Sequence, residues 1–170
     1  MCIRDSAVSE GDAHRVADLG CEILICNPSS PASLAAALKT AKPFDLVSIH
    51  DSQRPLTRTT QFHRTVEGLI GDVDAVRPAP AFTETLKAVT ADDMIERTID
   101  RTSMLRISTP EMIRYSAIDF AGTTSTWFVP LQAGAKTATV DADPESLRVN
   151  SAAEIALMES FVHWQQTIAQ

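Results

Sequence analysis

The chain has 170 residues, 44% apolar, 22% charged and 5% aromatic, with 15 Lys and Arg against 22 Asp and Glu for a formal net charge of -7. These proportions describe a globular chain with one hydrophobic core, not a disordered or fibrous one. The acidic balance argues against general nucleic-acid binding, which needs a basic surface, and no apolar run approaches the roughly 20 residues of a membrane span.

Met1 to Ser6 carry no signal-peptide core and read as unrelated to the rest of the chain. They are expected to be a non-native start, with 7–170 a single domain. Cys2, Cys21 and Cys26 show no CxxC and no His-containing metal spacing. Cys21 and Cys26, in or beside an apolar run, are expected to pack, and the odd count fits a reducing cytoplasm.

Apolar periodicity predicts the elements in order. Asp12 to Leu19 is a short helix and Glu22 to Cys26 a buried strand. Pro31 to Ala41 is an alanine-rich helix, with Ser30 as N-cap and Pro31 at the favoured first position. Asp45 to Ile49 is a strand, and Thr59 to Ile70 a helix with Phe62, Val66, Leu69 and Ile70 at helix spacing. Ala75 to Pro80 is a further strand. Short extended segments come next at Thr85 to Val89, Ile95 to Ile99 and Met104 to Ser108, an antiparallel excursion. A helix is expected from Thr109 or Pro110 to about Phe120. Strands are expected at Trp127 to Leu131, Ala138 to Asp141 and Leu147 to Val149, then a long helix from Ser151 to about Thr167.

Strand and helix alternating over short connections predict an α/β fold with a mostly parallel sheet. Ligands in such sheets sit beyond the carboxyl ends of the strands. That rule marks Asn27 to Ser33, His50 to Pro55 and Pro80 to Thr85 as neighbouring lips of one cleft.

Three clusters carry chemistry. In His50-Asp51-Ser52-Gln53-Arg54-Pro55 an acid ends a strand, where it can hold Mg²⁺ or a ribose hydroxyl, and Arg54 can fork to a phosphate. The ordinary alternative is that Asp51 caps a turn and pairs with Arg54. In Glu84-Thr85-Leu86-Lys87, the hydroxyl and ammonium fall on one side of an extended segment and suit a phosphate monoester, or else form an exposed hairpin. Asp100-Arg101, Arg106 and Ser108-Thr109-Pro110 offer further anion contacts or a solvated charge run. His14, His63 and His163 are expected at the surface. His50 should point away from Asp51 and be structural.

The ordered set resembles one family. Val8-Ser9-Glu10-Gly11-Asp12, the HDxxRP stretch at His50 to Pro55, ETLK at Glu84 to Lys87, Asp100-Arg101, Ser108-Thr109-Pro110, and Ser146 to Asn150 followed by Glu154 to Glu159 are similar to motifs of the 2-C-methyl-D-erythritol 4-phosphate cytidylyltransferases. The resemblance implies a three-layer, mostly parallel Rossmann-like nucleotidyltransferase sheet with a small antiparallel β-arm at about 82–108. It implies transfer from CTP, with Mg²⁺, to a polyol phosphate, releasing pyrophosphate. Asp51 would serve the ribose and the metal-bound phosphates, and Ser33 the cytosine; Ser52 and Arg54 complete the expected nucleotide contacts. Thr85, Lys87, Arg101 and Thr109 would hold the substrate phosphate. Arg101 would come from a neighbouring subunit's arm in a homodimer. Arg148 stands where the family has a lysine, and with Asp51 forms the expected catalytic pair.

Departures accompany the likeness. The family's Gly-rich, triphosphate-gripping loop has no counterpart among the scattered glycines 11, 20, 68, 71, 122 and 134. The chain is therefore expected not to catalyse alone. Ser52-Gln53 replaces two small residues, and Asn27-Pro28 and Ser30 replace a glycine pair and an arginine. Ribitol-phosphate or another sugar-phosphate nucleotidyltransferase, and a non-catalytic nucleotide-binding homologue, are the alternatives.

Overall fold

The computed structural model describes residues 5–41 and 44–168. Strand β1 (Asp5–Val8) leads through two 3₁₀ turns and the short helix α1 (Ala13–Val16) to β2 (Glu22–Ile25), which it pairs in parallel with Val8 opposite Ile25. Asp5 and Ser6 thus belong to β1; Met1 to Arg4, including Cys2, lie outside the described residues. Helix α2 (Pro31–Thr40) starts as its sequence dictates, with Ser30 Oγ accepting from Ser33 N at 3.3 Å and Pro31 in the first turn, where no donor is lost. It buries Leu34, Ala35 and Leu38.

The second sheet orders β3 (Leu46–Ile49), β7 (Glu111–Arg114), β4 (Ala75–Pro78) and β8 (Thr137–Val140) side by side. Strands β3 and β4 both run against β7, and β8 runs with β4, so three strands share a direction and one opposes them. Helix α3 (Thr59–Glu67) packs on β4, β7 and β8. Its approach is close: a Cβ at Gly68 would meet Val76 Cγ1 at 2.9 Å and Val140 Cγ1 at 3.0 Å. Strands β5 (Leu86–Val89) and β6 (Ile95–Ile99) form a separate antiparallel hairpin, the arm. The long helix α4 (Ala152–Ile168) closes the chain.

The core joins α2 to Val47, Ala75, Ile113, Ile118 and Val129, with Cys26, Trp127 and Phe128 packed against it. Cys21 and Cys26 are free thiols, and Cys26 packs against the core. Trp127 also lies under the Arg77 guanidinium, 4.1 Å from the ring centre.

Three local expectations are corrected. Residues 111–114 are a strand, not the start of a helix at Pro110. Met112 and Ile113 must lie between β3 and β4, and pairing on both edges overrides the proline start signal. Met104 to Ser108 and Leu147 to Val149 form no strand, and Trp127 to Leu131 contributes a single bridge, Ile118 to Leu131. Finally, α3 buries Gln61 and Thr65, while Val66 and Ile70 are 41% and 74% exposed. The face turned inward is polar.

Candidate functional site

A groove of about 760 Å³, a size usual for small-molecule sites, opens between the two sheets. Every residue of β1 and β3 lines it, together with Leu34, Leu38, Met112 and Phe128. The lining continues past the end of β3 through His50, Asp51, Ser52 and Gln53 to Arg148. Pro28 and Ser29 stand on the neighbouring lip.

Asp51 and Arg148 meet at the mouth. Arg148 Nε donates to Asp51 Oδ2 at 2.8 Å, with the Asp51 side chain 18% and the Arg148 side chain 46% exposed. The other guanidinium nitrogens donate to Gln53 Oε1 and Asn150 Oδ1. Asp51 Oδ1 accepts from Gln53 N at 3.0 Å, an Asx turn that aims the carboxylate. Val149 N donates to Gln53 O at 2.8 Å and holds the 146–150 segment alongside.

Thr109 sits behind this pair, 3% exposed. Its Oγ1 accepts from Asp51 N at 3.3 Å and lies 3.0 Å from His50 Nδ1. His50, expected from the sequence to be structural, is thus in contact with a candidate substrate residue. Burial lowers its pKa, opposed by a backbone hydrogen bond to Arg54 and the Asp51 charge.

Arg54 donates to Ser146 O at 2.7 Å and to Ile107 O at 3.1 Å, bracing the loops around the site. Burial pulls its pKa down, with Asp51 acting the other way. Ser33 Oγ accepts from Asn27 N at 2.9 Å and closes the 27–33 loop. Ser52 stays exposed at the groove.

The arm carries the remaining candidates. Thr85 is exposed, Lys87 Nζ donates to Thr98 Oγ1 at 2.7 Å, and Arg101 donates to Thr83 O at 2.7 Å. Among the described residues, none of the three bonds to Asp51, Thr109 or Arg148. Convergence therefore holds for Asp51, Thr109 and Arg148, while Thr85, Lys87 and Arg101 stand on a separate hairpin. Sequence reasoning misses Gln53, Asn150 and Gln61 as members of the site. Contacts among these segments span up to 97 positions, so no local pattern marks them.

The family model for 2-C-methyl-D-erythritol 4-phosphate cytidylyltransferase matches residues 28–163, most of the chain. The chain belongs to that family. It is 39% identical over 82 residues to a bifunctional enzyme IspD/IspF of Brucella abortus, covering 48% of this chain and 20% of that protein. It is 34% identical over 86 residues to the 2-C-methyl-D-erythritol 4-phosphate cytidylyltransferase of Bacillus pumilus, covering 51% of this chain and 37% of the relative. These matches span well under two thirds of either relative. The crystal structure of the Thermus thermophilus family enzyme superposes with a TM-score of 0.79 at 20% identity, over 95% of this chain and 83% of that one. The Rossmann-like α/β fold expected from the motifs is therefore the fold of this chain.

Proposed function

We propose that the full-length protein is a cytidylyltransferase, converting CTP and 2-C-methyl-D-erythritol 4-phosphate to CDP-methylerythritol and pyrophosphate in isoprenoid biosynthesis. The carrying observation is the Asp51–Arg148 pair at the groove mouth, 2.8 Å apart in a chain of this family. An oxygen of the polyol phosphate attacks the α-phosphorus of CTP, the bond to the β-phosphate oxygen breaks, and pyrophosphate leaves with that oxygen. No protein nucleophile takes part. Arg148 supplies fixed positive charge where the transition state gathers negative charge, and Asp51 orients the guanidinium and the ribose.

Mg²⁺ fits this donor set. Among the described residues no cluster of three His, Cys, Asp or Glu could hold a metal. Magnesium needs only one or two carboxylates when phosphates complete its shell, so Asp51 suffices beside a triphosphate. When bound, the ion would neutralise phosphate charge and favour departure of pyrophosphate.

The open edges of β1 and β3 across the groove support a further expectation. A strand laid against these edges would fill that space, and a Gly-rich loop beside it would grip the triphosphate. The arm supports the homodimer: Val89, Met94, Ile95, Met104 and Leu105 are all exposed there, and a lone hairpin is marginal without a partner. Thr85, Lys87 and Arg101 would then serve the polyol phosphate across the subunit boundary. The free thiols of Cys21 and Cys26 accord with a reducing, cytoplasmic setting. Among the described residues no helix is long and apolar enough to cross a membrane.

A second reading keeps the fold but changes the acceptor to ribitol phosphate or abolishes turnover. Its support is that all three guanidinium nitrogens of Arg148 already donate to side chains of this protein. Pyrophosphate release decides between them. The first reading requires release only when CTP, Mg²⁺ and methylerythritol phosphate are all present. Release with ribitol phosphate instead, or no release with any acceptor tried, supports the second.

A further inference from the structure

We propose that Gln61 is a positioning residue that sets the distance between Thr109 and the Arg148 segment, an inference that rests on the transfer site described above. Gln61 is fully buried on the inner face of α3. Its Nε2 donates to Thr109 O at 2.6 Å and to Ser146 Oγ at 3.1 Å, and its Oε1 accepts from Asp143 N. Both amide donors are used and the acceptor is engaged, so only one orientation of the amide satisfies all three partners.

Those partners belong to the two segments that must be held in register. Thr109 touches Asp51 N and His50 from one side. Ser146, two residues before Arg148, approaches from the other. Ser146 is itself a buried hub, with its hydroxyl 3.0 Å from Ser108 Oγ and 2.8 Å from Thr57 Oγ1 and its carbonyl held by Arg54. Thr109 and Ser146 lie 37 positions apart along the chain, so sequence proximity does not align them. Gln61 does, by bridging them with one rigid side chain. The low-dielectric setting makes each bond costly to leave unmade. Gln61 is absent from the groove lining and acts only through Thr109 and the 143–148 segment.

The test uses Gln61→Met, close in volume but without the three bonds, in the full-length protein. Two readouts are taken per folded molecule. The first is kcat and KM for CTP with methylerythritol phosphate and Mg²⁺. The second is hydrogen exchange at the Arg148 Nε–H, which needs no turnover. The expected result is a fall in kcat of about tenfold to a hundredfold, the scale of a small misplacement, with KM for CTP little changed and Arg148 Nε–H protection lost. Wild-type kcat and wild-type protection in folded Gln61→Met, with only a lower melting temperature, overturn the proposal. If the wild type turns over no acceptor, the functional reading fails, and the exchange arm alone decides Gln61. Should Gln61→Met not fold, Gln61→Glu replaces it. A protonated carboxyl restores one donor to Thr109 O, so Arg148 protection relative to wild type should recover as pH falls. A ratio independent of pH would equally overturn the proposal.

Discussion

Arg148 Nε donates to Asp51 Oδ2 at 2.8 Å, across 97 positions of sequence. The contact joins the loop after β3 to the segment before α4 and makes one rim from two distant pieces of chain. Its partial exposure means the ion pair stabilises the fold by no more than about 1 kcal/mol. Its value is geometric: it fixes where the positive charge stands.

Removing the Thr109 hydroxyl with Thr109→Val keeps the volume but leaves Asp51 N without that acceptor and His50 without its neighbour. Urea unfolding should show a loss of about 1–2 kcal/mol. An unchanged midpoint would mean that water replaces the hydroxyl at no cost.

Glu111 is buried between Arg77 Nη1 at 3.1 Å and Phe128 N at 2.8 Å, yet burial raises its pKa above the ordinary 4.5 by more than these partners lower it. A raised folded value contributes stability below the unfolded pKa, which is lost as pH rises through the folded one. The stability of the wild type minus that of Glu111→Gln should therefore shrink on going from about pH 4.5 upward. A difference that is flat, or that grows, contradicts the assignment.

Ile113, fully buried in the central strand β7, is the core's most demanding position. Ile113→Ala should cost about 2–5 kcal/mol in chemical denaturation. A cost below about 1 kcal/mol would show that β7 is not held between β3 and β4.

On the arm, Thr85→Ala and Arg101→Ala should raise the polyol-phosphate KM more than the CTP KM in the full-length enzyme. Unchanged values in both variants would remove the arm from the substrate site.

Local chemistry makes much of the fold legible. Ser30 and Pro31 announce α2, and the apolar residues of β2 and β3 mark their strands. Residues 111–114 mislead because Met112 and Ile113 suit a buried helix or a buried strand equally, and only the pairing with β3 and β4 selects the strand. The inner face of α3 escapes a sequence reading because Gln61 and Thr65 are polar, and a periodicity of apolar residues cannot reveal a buried hydrogen-bonding hub. Asp51 is legible as an acid at a strand's end, Arg148 only through the family's motif order. Nothing in either local stretch says that they touch. Strand alternation points His50 away from Asp51, but the strand ends at Ile49 and the ring meets Thr109.

The most direct measurement is a double-mutant cycle on kcat in the full-length protein, using Asp51→Asn, Arg148→Ala and the pair, with CTP, Mg²⁺ and methylerythritol phosphate. Each single change should reduce kcat by roughly a hundredfold to a thousandfold with little effect on melting temperature, and the double variant should be hardly worse than the poorer single. Losses that multiply, or an Arg148→Ala enzyme within about twofold of wild type in kcat, would contradict a site organised by this pair.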